Sequence, residues 1–153
     1  MKSLAVLDTS YPDVQVEAAA VASLSVDVVD WRDRWPEAAS VHDGALVQHA
    51  QITADVMDAH PRWRVLGRYG VGTDTIDVTA ASERGIAVFN VADYCTVEVA
   101  THAAALILSL ARNLLPADQQ VRAGQWTRWA ELPPMRDLST LTLGLVGLGS
   151  IGR

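Results

Sequence analysis

Two glycine-rich stretches hold the residue spacing in this 153-residue chain that chemistry could use. The first, LGLVGLGSIGR (143–153), sets Gly147, Gly149 and Gly152 in G-x-G-x-x-G register directly behind an apolar run. That context suits a dinucleotide. Gly147 permits a tight turn, Gly149 lets a pyrophosphate approach the backbone, and Gly152 lets a following helix pack closely, with the phosphate on the unpaired N–H groups of its first turn. A strand-to-helix turn without ligand would use the same residues. The second stretch, GRYGVGTDTID (67–77), has Thr75 where a third glycine would stand, so it is a different device. Gly70 and Gly72 allow successive main-chain N–H groups to face outward as a small anion nest for a carboxylate or phosphate. A ligand-free glycine turn is the alternative.

The remaining polar candidates are isolated. Gln48 and His49 follow an apolar run and could face the same crevice as the second loop, although His49 also reads as a hydrogen-bonded structural histidine. His42 and His60 stand in polar stretches and read as solvated. His102 lies within an apolar helical segment and reads as a satisfied core histidine, and Cys95, without an adjacent base or cation, reads as an inert thiol. No His or Cys cluster has metal-ligand spacing, so no metal site is expected.

The elements that must position these residues follow from apolar periodicity. Short aliphatic runs at 4–7, 26–29, 45–47, 63–66 and 86–89 alternate with helical segments at 14–22, 53–59 and 78–84 and a less regular turn near 36–39. Asp77 suits a helix N-cap and Gly85 a left-handed C-terminal cap. Nearly continuous apolar strands joined by crossovers predict an α/β fold with a parallel sheet covered on both faces. From 96 to 115 the pattern becomes one long helix whose polar residues, Glu98, Thr101 or His102, Ser109 and Arg112, form a narrow stripe, with Pro116 ending it. Such a helix requires cover from a second domain or another subunit. A shorter helix at 118–123 stops at Gly124, and after a loop, 141–146 reads as a fresh strand.

Totals narrow the function classes. The formal charge is −6 and the 12 Lys and Arg are scattered, so no basic face is offered to nucleic acid. A single cysteine cannot form an internal disulfide. No signal-peptide h-region and no uninterrupted membrane-length apolar run is found, so a cytoplasmic chain without a membrane span is expected.

Taken together, VLGRYGVGTDTIDVTAASERGIAVFNVADYCTVEVATHAAALILSLAR and TLGLVGLGSIGR strongly resemble the D-isomer-specific 2-hydroxyacid dehydrogenases, in the branch similar to phosphoglycerate dehydrogenase and the C-terminal-binding proteins. The first sixty residues match more loosely, through GALVQHAQITADVMD. The resemblance implies a flavodoxin-like substrate domain at 1–95, followed at 96–153 by a linker and dimerisation helix and the truncated start of a Rossmann nucleotide-binding domain. It implies that the backbone of Tyr69, Gly70, Val71 and Gly72 binds the carboxylate of a small 2-hydroxy or 2-keto acid. It also places Val99 near the nicotinamide of NAD or NADP, and Gly147, Leu148, Gly149, Ser150, Ile151 and Gly152 on the pyrophosphate. Ser150, Ala92 and Thr101 depart from the family's usual Arg, Pro and acidic residue, and none of the three changes removes a backbone donor. The Arg, Glu and His that carry catalysis in the family are expected beyond the last residue, as is the ribose-binding acid. No catalytic residue is therefore assigned, and the chain alone is expected to be inactive. The alternative is a non-enzymatic dimerisation or binding module on the same scaffold, a homodimer or higher self-association through the helix at 97–115.

Overall fold

The computed structural model describes residues 2–35, 41–126 and 129–153. The chain divides into two compact units, Met1–Tyr94 and Cys95–Arg153.

The first unit is a five-stranded parallel sheet of β1 (Lys2–Val6), β2 (Val26–Asp30), β3 (Gly44–Val47), β4 (Val65–Arg68) and β5 (Ala87–Phe89), in the order β2-β1-β3-β4-β5. Helices α1 (Gln15–Ala20), α2 (Ala54–Asp58) and α3 (Val78–Glu83) make the crossovers. This is the flavodoxin-like order, whose direction reverses between β1 and β3. The α/β class and parallel sheet are those expected from the apolar runs, with strand ends displaced by one or two residues. Polar Lys2 and Ser3 join β1 because their main chain pairs with Val26 and Asp27. Trp63 falls outside β4: its N–H donates to the His60 carbonyl at 3.0 Å, and its ring is wholly buried in the turn before the strand. The predicted turn near 36–39 lies outside the described residues.

Ala5, Val6 and Leu7 are buried in succession, as a central parallel strand with both faces covered requires. Ala45, Val47 and Leu66 from β3 and β4 join Leu7, Ile52, Met57, Trp63 and Ile76 in the same core. Gly44 is demanded by this packing. A Cβ there would lie 2.6 Å from the Val65 carbonyl oxygen and 2.8 Å from Leu4 Cδ2. The Asp77 side chain accepts from the Ala80 N–H at 2.8 Å and starts α3, and Gly85, at φ 66°, follows its end.

His42 and His60, expected to be solvated, are buried, at 5 % and 3 % exposure. His42 Nδ1 lies 3.0 Å from Ser3 Oγ, and its ring meets Trp31 edge-on at 4.6 Å. His60 Nδ1 lies 2.7 Å from the Val56 carbonyl, and its ring stacks on Trp63 at 4.2 Å. Polar neighbours in sequence do not report which way a side chain turns; an aromatic wall and hydrogen bonding at the ring make each burial tolerable. Burial lowers the pKa of His42, against the opposing pull of Asp43 and with a smaller contribution from Arg62 in the same direction.

In the second unit the predicted helix at 96–115 is two helices, α4 (Thr96–Ala111) and α5 (Leu114–Arg122), bent by 65°. Asn113 adopts φ 50°, a left-handed conformation that asparagine tolerates better than most residues, and it interrupts the helix. Pro116 therefore does not end a helix but sits in the first turn of α5, where no amide donor is needed. Neither helix contains a buried residue, and His102, read as a core histidine, is exposed. No single helix is long and apolar enough to cross a membrane. The predicted strand at 141–146 is absent: Leu143, Leu145 and Val146 are exposed. Among the described residues no second strand runs alongside, so its main-chain groups have no ladder to join.

Candidate functional site

The loops that leave the C-terminal ends of β1, β3, β4 and β5 are fastened to one another. Asp8, two residues beyond β1, accepts hydrogen bonds from the N–H groups of Gln48, His49 and Ala50 at 2.7, 2.5 and 3.0 Å. Gln48 Oε1 in turn accepts from the Ser10 N–H at 2.5 Å. The loop after β3 is tied to the loop after β4 by Ile52 N–H to the Thr75 carbonyl at 2.8 Å and by Asp77 N–H to the Ile52 carbonyl at 2.9 Å. The loop after β5 completes the set: Val91 N–H donates to the Gly70 carbonyl at 3.1 Å, and Asn90 Nδ2 to the Val71 carbonyl at 2.6 Å.

These ties decide what the stretch at 69–72 can offer a ligand. The Tyr69 N–H extends the β3–β4 ladder to the Val47 carbonyl at 2.8 Å, and the Gly70 N–H closes a tight turn on the Arg68 carbonyl at 2.9 Å. Gly70 holds φ 140°, and a Cβ there would run into the Arg68 guanidinium. The carbonyls of Gly70 and Val71 are taken by the loop after β5, whereas the N–H groups of Val71 and Gly72 have no acceptor among the described residues. Two of the four predicted amides are thus consumed by the fold, and two adjacent ones remain open. In an open parallel sheet this edge is where ligands bind.

Beside Gly70 is a recess of about 100 Å³ lined by Tyr11, Gln48, Tyr69, Gly70, Val91 and Tyr94. A larger one, about 470 Å³, adjoins it across Tyr11 and Tyr69. The Tyr69 hydroxyl donates to Glu17 Oε1 at 2.6 Å, and burial, followed by that carboxylate, raises the phenol pKa well above the ordinary tyrosine range. Gln48 lines the small recess as its position after β3 suggested. The His49 ring is exposed, and its contribution is the amide given to Asp8. Asp8, Tyr11, Asn90, Val91 and Tyr94 were not singled out from sequence; the available signal was their place just beyond a predicted strand.

Gly147 turns at φ 95°, and a Cβ on Gly152 would run into the Gly147 carbonyl oxygen, so neither position accepts a side chain freely. Nothing stands within 4 Å of a Cβ built on Gly149, which leaves that face open to a ligand. Arg153 N–H closes a turn on the Gly149 carbonyl at 3.2 Å around Ser150, Ile151 and Gly152; Leu148 is exposed, as is Val99 on α4. Among the described residues no group of three or more His, Cys, Asp or Glu converges as a metal site.

Residues 6–144 match the family profile described as "D-isomer specific 2-hydroxyacid dehydrogenase, catalytic domain". D-3-phosphoglycerate dehydrogenase of Archaeoglobus fulgidus is 39% identical over 110 residues, covering 71% of this chain and 20% of the relative. Glyoxylate reductase of Korarchaeum cryptofilum is 41% identical over 103 residues, covering 66% of this chain and 31% of the relative. The chain therefore spans between about a fifth and a third of the curated relatives it matches. Among solved structures, D-lactate dehydrogenase from Aquifex aeolicus, complexed with NAD and lactic acid, superposes with a TM-score of 0.81 at 27% identity, covering 99% of this chain and 46% of that one. An NADPH-dependent glyoxylate/hydroxypyruvate reductase from Sinorhizobium meliloti, in complex with citrate, gives 0.80 at 31% identity, covering 99% and 48%. The parallel sheet, its loop edge and these matches agree: the chain belongs to the D-isomer-specific 2-hydroxyacid dehydrogenase family.

Proposed function

We propose that this chain supplies the substrate-carboxylate site of an NAD(P)-dependent dehydrogenase that moves a hydride between the nicotinamide and a D-2-hydroxy or 2-keto acid. The observation that carries the reading is the pair of unclaimed N–H groups at Val71 and Gly72, in a loop whose Gly70 and Val71 carbonyls and Tyr69 and Gly70 N–H groups are engaged. Tyr69 and Gly70 shape that loop through their own bonds and leave the next two amides for an anion, as a nest requires. The solved relatives in complex with lactic acid or citrate bind carboxylates, which fits this chemistry.

The second unit suits a dinucleotide at Gly147, Leu148, Gly149, Ser150, Ile151 and Gly152, with the open face at Gly149 toward the pyrophosphate and Val99 toward the nicotinamide. When bound, NAD or NADP supplies or accepts the hydride. We assign no residue of this chain to proton transfer. In this reading 1–95 is the substrate domain, 96–153 belongs with the nucleotide-binding domain, and the protein works in the cytoplasm.

The experiment is an amide-shift titration of the 15N-labelled chain with pyruvate. Saturable shifts centred on Val71 and Gly72 are expected at millimolar ligand. Shifts confined to other loops, or none, refute the assignment.

A second reading, a dimerisation or binding module, is favoured by α4, where Val97, Leu106, Ile107, Leu108 and Leu110 are all exposed. Light scattering across a concentration series tests it: a dimer or larger species is expected, and a constant monomer mass at micromolar protein removes it.

A further inference from the structure

We propose that the site selects 2-hydroxy and 2-keto acids with an apolar side chain, of aryl or branched-alkyl kind, and discriminates against phosphorylated ones. The inference rests on the reading that Val71 and Gly72 hold the carboxylate, and it concerns what lies beside them. The recess of about 470 Å³ is lined by Tyr11, Pro12, Asp13, Val16, Glu17 and Tyr69 and shares its two tyrosines with the smaller recess beside Gly70. Val71 and Gly72 line neither recess themselves; the link to them runs through Tyr69 and Gly70 of the same loop, and the substrate's side chain would follow that path.

The wall is mostly carbon. The Tyr11 and Tyr69 rings meet edge to face at 6.0 Å, and Val16, on α1, is 78 % exposed. An apolar group placed there leaves water and covers exposed carbon at once.

Charge points the same way. Neither recess is lined by a Lys, Arg or His, while Asp13 and Glu17 both line the larger one. Glu17 Oε1 is occupied by the Tyr69 hydroxyl, and Oε2 is buried, so neither oxygen is open to accept from a ligand. Two nearby guanidinium groups do not reverse this. Arg32 is spent on Asp30 and on the carbonyls of Tyr11 and Pro12, and Arg68 lies over Gly70, against the carboxylate loop. A phosphate in this recess would face the Asp13 and Glu17 carboxylates with no Lys, Arg or His among the lining residues.

The test compares three 2-hydroxy acids that differ only at the third carbon: D-lactate, D-phenyllactate and D-3-phosphoglycerate, titrated into the labelled 153-residue chain. D-phenyllactate is expected to bind about tenfold more tightly than D-lactate, a modest return for partly burying an aryl ring. Its shifts should spread from Gly72 to Tyr11 and Val16. D-3-phosphoglycerate is expected to bind at least about tenfold more weakly than D-phenyllactate. Val16→Lys, at an exposed position on the rim, should narrow that gap by strengthening D-3-phosphoglycerate. If all three acids shift Val71 and Gly72 with equal affinity, or the phosphorylated one binds best, the selectivity falls and the carboxylate site stands. If none shifts those amides, the carboxylate reading fails and the selectivity with it.

Discussion

Replacing Asp8 by Ala should loosen the whole ligand edge. Its carboxylate sits where the strand order reverses, between β1 and β3, and accepts the N–H groups of Gln48, His49 and Ala50 at 2.7, 2.5 and 3.0 Å. Hydrogen bonds to a charged acceptor contribute about 1.5–3 kcal/mol each, but these three share one carboxylate, so simple addition overstates them. The His49 residue is exposed and Gln48 and Ala50 are partly so, which lets water replace the lost acceptor in the variant. A net loss of about 2–4 kcal/mol follows, a large fraction of the 5–15 kcal/mol that holds a domain together. For a unit of this size each kcal/mol is worth about 4–8 °C in Tm. The assay is urea unfolding followed by tryptophan fluorescence, since Trp31 and Trp63 report on the first unit. The midpoint should fall with little change in slope, and Asp8→Asn, which keeps one carbonyl acceptor, should lie between wild type and Asp8→Ala. A loss below about 0.5 kcal/mol would refute the claim that this carboxylate fastens the loops.

Gly44→Ala should destabilise the first unit by about 1–3 kcal/mol or more, because its Cβ meets the main-chain carbonyl oxygen of Val65, which cannot swing aside, together with the side chains of Val65 and Leu4; a midpoint equal to wild type would contradict the packing. His42 is buried and its pKa lies below the usual value, so the folded state favours the neutral ring. Its contribution is present above the unfolded pKa of about 6.5 and is lost as pH falls from there toward the folded pKa, and His42→Gln should flatten that part of the stability–pH curve. Tyr69 titrates above the ordinary range because it is buried and bonded to Glu17. In an alkaline absorbance titration, Tyr69→Phe should therefore remove no phenolate signal below about pH 11, and loss of a third of that signal would be the contrary result.

How much was legible depended on whether a feature is local. Asp77 and Gly85 act within a few residues of chain, and both perform the capping and turning that their types suggest. The Pro116 reading failed for the converse reason. Proline signals a boundary, but Asn113 three residues earlier took the left-handed conformation, so the boundary is the start of α5 rather than the end of α4. His42 was misread because Trp31, from the end of β2, packs against it, and His60 because the turn that ties it to Trp63 stacks the two rings inside the core. The apolar run at 141–146 has strand composition, yet composition supplies no partner for a ladder.

By itself the amino-acid order determined the parallel α/β class, from periodicity, and the glycine loops at 67–77 and 147–152, from residue types at fixed local spacing, and it carried the motifs through which the chain resembles its family. Only the tertiary structure decided which amides of Tyr69, Gly70, Val71 and Gly72 stay open, because their competitors are the carbonyls of Val47 and Arg68 and the clasp of the loop after β5. It also placed Glu17, Tyr11 and Val16, from the segment between β1 and β2, beside a loop that leaves β4. Hydrogen-bond partners and recess walls are set by strand register and crossover, which join residues dozens of positions apart, and no local pattern records them.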